Sequence, residues 1–71
     1  MFTETLSNQP ISARRRLARA TIAEASVWAD CSPTTWRLYE ANPAAVSAAV
    51  RARCEVALAK IDALAKAHEA A

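Results

Sequence analysis

A chain of 71 residues makes one small domain, of a size that buries only about 60% of its unfolded surface. Glycine is absent and alanine abundant, while β-branched and aromatic residues are few, which points to an all-α fold and excludes sheet architectures. The net charge of +2 identifies no partner, and two cysteines with one histidine form neither a disulfide framework nor a metal-ligand spacing.

Residues 1–9 are polar and without a period, which predicts a flexible N-terminal tail. Pro10 suits the first turn of a helix, where its missing N–H leaves nothing unpaired. A first helix is expected over residues 10–19, with Ile11, Leu17 and Ala18 inward and Arg14, Arg15, Arg16 and Arg19 over much of the rest. The positive charge is concentrated at these four arginines: residues 1–20 sum to +3, 21–42 to −2 and 43–71 to +1.

Thr21-Ile22-Ala23-Glu24 is a capping box, in which the threonine hydroxyl accepts from the Glu24 N–H and the glutamate reaches back to the Thr21 N–H. It predicts a second helix over 22–29 with Ile22, Ala25, Ser26 and Ala29 inward. Trp28 is expected to pack against the first or the last helix. Asp30 falls where the chain reverses, a position that favours positive φ and tolerates Asp. Ser32-Pro33 is a hydroxyl cap followed by proline at the first helical position. A third helix over 33–41 then places Trp36 and Tyr39 inward and leaves Thr34, Arg37 and Leu38 outside.

Asn42-Pro43 repeats that device and is expected to open a last helix from 43 to about 67, ~37 Å long at 1.5 Å per residue. Residues 10–42 then form the core domain and 43–71 the C-terminal helix. Val50, Cys54, Ala57, Ile61, Leu64 and His68 follow one another at alternating steps of four and three, the pattern of a coiled-coil seam. Val46, Leu58 and Ala65 widen the stripe. Three short helices look too small to cover it, so the surplus predicts a homodimer through Val50, Cys54, Ala57, Leu58, Ile61 and Leu64. The alternative is a break near Arg53 that folds the segment back over its own core. Cys31 and Cys54 are expected to be small apolar residues of a reducing compartment. No membrane span and no signal peptide is evident, which implies a cytoplasmic protein.

From Thr21 to Glu40 the chain resembles, without a gap, the phage-repressor (Cro/XRE-like) helix-turn-helix family. The matching positions are Thr21 opening the second helix, small Ser26 five positions on, apolar Ala29 before the turn and Cys31 after it, the cap Ser32, apolar Trp36 and Tyr39, and the closing Glu40. Asp30 stands where the family usually has glycine, and Ile22 where it commonly has glutamine. A weaker likeness of residues 32–40 to MerR-type regulators lacks the winged hairpin those proteins carry. The Cro-like resemblance implies a third helix lying in the major groove of double-stranded DNA, with Thr34, Thr35, Arg37 and Leu38 reading bases. It implies phosphate contacts from Arg14, Arg15, Arg16, Arg19, Thr21, Ser32 and Asn42, and, with a dimer, an inverted-repeat operator.

The function so implied is a homodimeric transcriptional repressor of a phage, plasmid or other mobile element, acting at the nucleoid. Two alternatives stand beside it: an antitoxin that represses its own operon and holds a partner protein on the last helix, and a helical adaptor that binds only protein. Nothing points to an enzyme or a cofactor, because there is no glycine-rich phosphate loop, no carboxylate pair in an apolar setting and no Cys/His arrangement with an orienting third group.

Overall fold

A computed structural model describes residues 9–70. The expected tail, apart from Gln9, lies outside the described residues. The fold is all-α, with no strand among those residues: α1 spans Ile11–Leu17, α2 Ile22–Trp28, α3 Pro33–Ala41 and α4 Ala48–Ala70, with a 3-10 turn at Pro43–Ala45 between the last two. Three short helices thus precede one long one, as the composition and the caps foretold.

The first two helix ends are built alike. α1 stops at Leu17, two residues short of expectation, because Arg19 turns left-handed at φ 59°. The Ala20 N–H then donates to the Arg15 carbonyl at 3.2 Å and the Arg19 N–H to that of Arg16 at 2.9 Å. α2 ends on the same device, with Asp30 at φ 55°, Cys31 N–H to Ser26 O at 3.0 Å and Asp30 N–H to Val27 O at 3.1 Å. This paired closure satisfies carbonyls that a helix end otherwise leaves open. The left-handed Asp30 was expected from the sequence; the left-handed Arg19 was not.

The helix starts follow the side-chain caps. Both halves of the Thr21–Glu24 box are made, Glu24 N–H to Thr21 Oγ1 at 3.0 Å and Thr21 N–H to Glu24 Oε1 at 2.9 Å. Ser32 Oγ accepts from the Thr35 N–H at 3.1 Å, with Pro33 at the first helical position. Asn42 also caps, through Oδ1 to the Ala44 N–H at 3.1 Å, but it opens only the 3-10 turn. Val46 is extended, at φ −109° and ψ 160°, and the helix restarts after Ser47, whose Oγ accepts from the Val50 N–H at 3.2 Å. α4 therefore begins five residues later than expected and runs 23 residues without the break considered near Arg53.

Around Trp36, which is fully buried, gather Ala18, Ala20, Ala25, Ser26, Ala29, Tyr39, Cys54, Ala57, Leu58, Ile61 and Ala65. The buried Ser26 donates to the Ala23 carbonyl at 2.8 Å, so its hydroxyl is not orphaned. The coiled-coil seam expected to pair two copies is part of this core. Cys54 and Ile61 are 0% exposed, Ala57 1% and Leu58 7%, while Val50 and Leu64 are half-buried against the same cluster. The reason is the small size of the facing side chains. Ala18, Ala25 and Ala29 let α1 and α2 lie close along α4, so that Arg14 of α1 reaches Asp62 and Trp28 of α2 reaches Lys60. Three short helices thereby cover more of α4 than their length suggested. His68 is exposed.

Candidate functional site

α3 has two unlike faces. Trp36 and Tyr39 point into the core with their rings 5.3 Å apart and tilted by 52°. On the other side Thr34, Arg37 and Leu38 are exposed, Leu38 to 49%. Thr35 is half-buried and tied to the cap, its Oγ1 accepting from the Ser32 hydroxyl at 2.9 Å. The structure brings Thr34, Arg37 and Leu38 together on one open surface and leaves Thr35 at its edge. Arg37 makes no ion pair among the described residues.

Glu40 anchors this helix. Its Oε2 accepts from the indole Nε1 of Trp36, one turn back, at 2.5 Å and from Arg15 Nε of α1 at 2.5 Å. Arg15 also donates Nη2 to Glu40 Oε1 at 3.5 Å and Nη1 to the Ala20 carbonyl at 3.1 Å, which joins α3 to the α1–α2 joint. Arg14 pairs equally well elsewhere, Nε to Asp62 Oδ1 at 3.1 Å and Nη2 to Oδ2 at 2.6 Å. The side chains of these two arginines are only 12–14% exposed. Arg14 and Arg15, expected on phosphate, are instead internal ion pairs in fork geometry, charge-assisted and directional.

No protein-family model, curated protein or solved structure matches this chain.

Two of the expected phosphate arginines stay outside. Among the described residues Arg16 bonds only Ser12 of its own helix, at 3.3 Å to the carbonyl and 3.4 Å to the hydroxyl, and Arg19 is exposed. Both line an open groove of about 530 Å³ together with Ala65, His68, Glu69 and Leu17, the last 51% exposed rather than inward as expected. Thr21, Ser32 and Asn42 are exposed, and each has its side-chain oxygen engaged as an N-cap. Ile22 is half-buried against the core, as its replacement of a polar residue suggested.

Three arrangements were not legible beforehand. Arg15–Glu40–Trp36 combines a visible four-residue spacing with a partner on another helix. Arg14–Asp62 depends on how α1 lies along α4. The third is the setting of Cys54, whose thiol is pushed up to about 11, first by burial and then by Cys31 nearby. Trp28 packs as expected, half-buried with the Lys60 ammonium 4.8 Å from its ring centroid. Among the described residues no helix is long and apolar enough to cross a membrane.

Proposed function

We propose that this chain is a sequence-reading module for double-stranded DNA, a transcriptional regulator of the Cro/XRE-like type that inserts α3 into the major groove. One observation carries the reading. α3 is fixed on its inner side by Trp36, Tyr39 and the Glu40 anchor, and offers Thr34, Arg37 and Leu38 on its outer side. A rigid helix with a short polar outer face suits a groove about 12 Å wide, where base edges differ in their donors, acceptors and methyl groups. Thr34 would offer a hydroxyl or a methyl, Arg37 a fork for guanine O6 and N7, and Leu38 an apolar contact to a thymine methyl.

Phosphate contacts would fall to Arg16 and Arg19, with Thr21, Ser32 and Asn42 at the helix starts, because Arg14 and Arg15 are already paired within the chain. Fewer free arginines mean a shallower salt dependence, at about 0.9 log units per phosphate neutralised. The homodimer loses its earlier argument, since the stripe that suggested it is buried in the core.

Selection of bound duplexes from a random pool at two salt concentrations tests the proposal. A short consensus that persists at the higher salt is expected, and its symmetry reports how many copies bind. Thr34→Ala should relax preference at one base step. Arg16→Ala should weaken all sequences alike and reduce the salt slope by about 1. Absence of any consensus, or of duplex binding even at low salt, would overturn the reading and favour a protein-binding adaptor.

A further inference from the structure

A groove of about 530 Å³ opens where the end of α1 meets the last turns of α4. Its size falls within the range of small-molecule sites, roughly 300–1,000 Å³. α1 contributes Arg16 and Leu17, the joint after it Arg19, and α4 Ala65, His68 and Glu69. Arg14 and Arg15 are consumed in ion pairs inside the fold, whereas Arg16 and Arg19 form none among the described residues. Arg19 stands at φ 59°, where Asn or Asp is the easier non-glycine residue. A residue held in so strained a conformation points to a use for what it carries. Leu17, next to Arg16 in sequence, is 51% exposed, although helical period placed it inward. Two guanidinium groups with no acidic partner and an imidazole N–H thus share one groove with an apolar side chain left in water.

We propose that this groove binds a small amphiphilic monoanion, a carboxylate carrying an aliphatic or aromatic body. The carboxylate accepts from Arg16 and Arg19, whose planar forks match its two oxygens. The body covers Leu17 and takes it out of water. Each part of the ligand is needed. Inorganic phosphate gains the charge but leaves Leu17 wet, and a cationic amphiphile covers Leu17 but is repelled by the arginines. Glu69, the one acid among the lining residues, disfavours a second anionic group on the ligand.

None of the lining residues belongs to α3, so the proposal does not require α3 to read DNA. Where it does, ligand and phosphate compete for the same two arginines, and an occupied groove weakens duplex binding.

The test records amide NMR spectra of the whole chain, free of DNA, during titration with decanoate kept below its micelle concentration. Saturable shifts are expected at residues 16–19 and 65–69, with helical circular dichroism unchanged and a dissociation constant of millimolar order, as an open site allows. Inorganic phosphate and decylammonium should each bind at least about tenfold more weakly. Leu17→Gln and Arg19→Gln alter exposed side chains, and each should weaken decanoate about two- to fivefold. Arg53→Gln, at an exposed arginine outside the groove, should leave it unchanged. Four outcomes would overturn the proposal. Phosphate binding as tightly as decanoate would make the groove a bare cationic patch, and decylammonium doing so would make it merely apolar. Shifts spread through the chain as helicity falls would mark a detergent, and the last outcome is no shift at all. No duplex enters this experiment, so its failure is distinct from a failure of the DNA reading, which the selection of duplexes tests.

Discussion

Glu40 is a single carboxylate that holds three things in place: its own helix through Trp36, α1 through Arg15, and thereby the face of α3 that points outward. Replacing it by an amide keeps the shape and leaves the Arg15 guanidinium enclosed without a counter-charge. Glu40→Gln should therefore lower the unfolding free energy by about 3 kcal/mol in urea titrations, whereas Arg16→Ala, at the surface, should change it by less than about 0.5 kcal/mol. Equal effects would remove the distinction drawn between inner and outer arginines. The sequence showed the arginines but not their destinations. Neighbours on a helix diverge by about 100°, so Arg14, Arg15 and Arg16 meet three environments. The partners Glu40 and Asp62 come from helices whose placement is a tertiary fact. Cys54 gives this scale its pH dependence. Its thiol ionises near 11 instead of 9, and burial raises Tyr39 above 10 as well, so the folded state binds both protons more tightly than the unfolded one. Their contribution is whole below about pH 9 and is lost as pH rises through about 11. The groups around Cys54 are Cys31 in the turn, Tyr39 on α3, and Arg53 and Glu55 on α4. The melting temperature should fall between pH 9 and 11, and Cys54→Ala should flatten that fall; an unchanged slope would assign it to Tyr39 alone.

Individual helices were legible wherever a side-chain oxygen or a proline marks a boundary. Thr21, Ser32 and the two inward aromatics of α3 sit as the sequence suggested. The last helix was misread at its start because Asn42-Pro43 carries the same signal as Ser32-Pro33. A cap and a proline set the first turn only, and continuation depends on the residues after it. Val46 is β-branched and extended, and Ser47 supplies a second cap that became evident only once that break was known. The two caps should differ in weight. Ser47→Ala removes the side-chain cap at the start of the long helix and should cost about 1 kcal/mol in thermal or urea unfolding. Asn42→Ala affects one short turn and should cost less. A larger loss at Asn42 would mean that the 3-10 turn, rather than Ser47, directs the entry of α4.

For the whole molecule the error of reading was one of area. The apolar stripe of α4 was identified correctly from Val50 to Leu64, with His68 exposed beyond it, but its partner was sought outside the chain. Helical period shows that a face is apolar without showing what covers it, and alanine-rich neighbours approach more closely than their number suggests. Ile61 distinguishes the two possibilities. It is 0% exposed in the single chain, so Ile61→Asp buries an unpaired charge in the core. Loss of helical circular dichroism at every protein concentration is expected, because a domain of this length is held by only ~4–10 kcal/mol. A folded Ile61→Asp monomer replacing a wild-type dimer in sedimentation would return the stripe to an interface. Trp36, buried at the centre, sets the other limit of this small core: removing its ring by Trp36→Ala should cost about 3–5 kcal/mol, much of the total.

The joints after α1 and α2 close identically around Arg19 and Asp30, two left-handed residues in a chain that has no glycine. Holding an ordinary residue in that conformation costs about 1–2 kcal/mol each. Glycine would relieve the strain, but it would also widen the set of shapes open to the denatured chain, a penalty of about 0.4–1 kcal/mol for each such position. Throughout its length this polypeptide avoids that widening. Its denatured ensemble is correspondingly narrow, and part of the stability of so small a core comes from the entropy the chain does not have to lose.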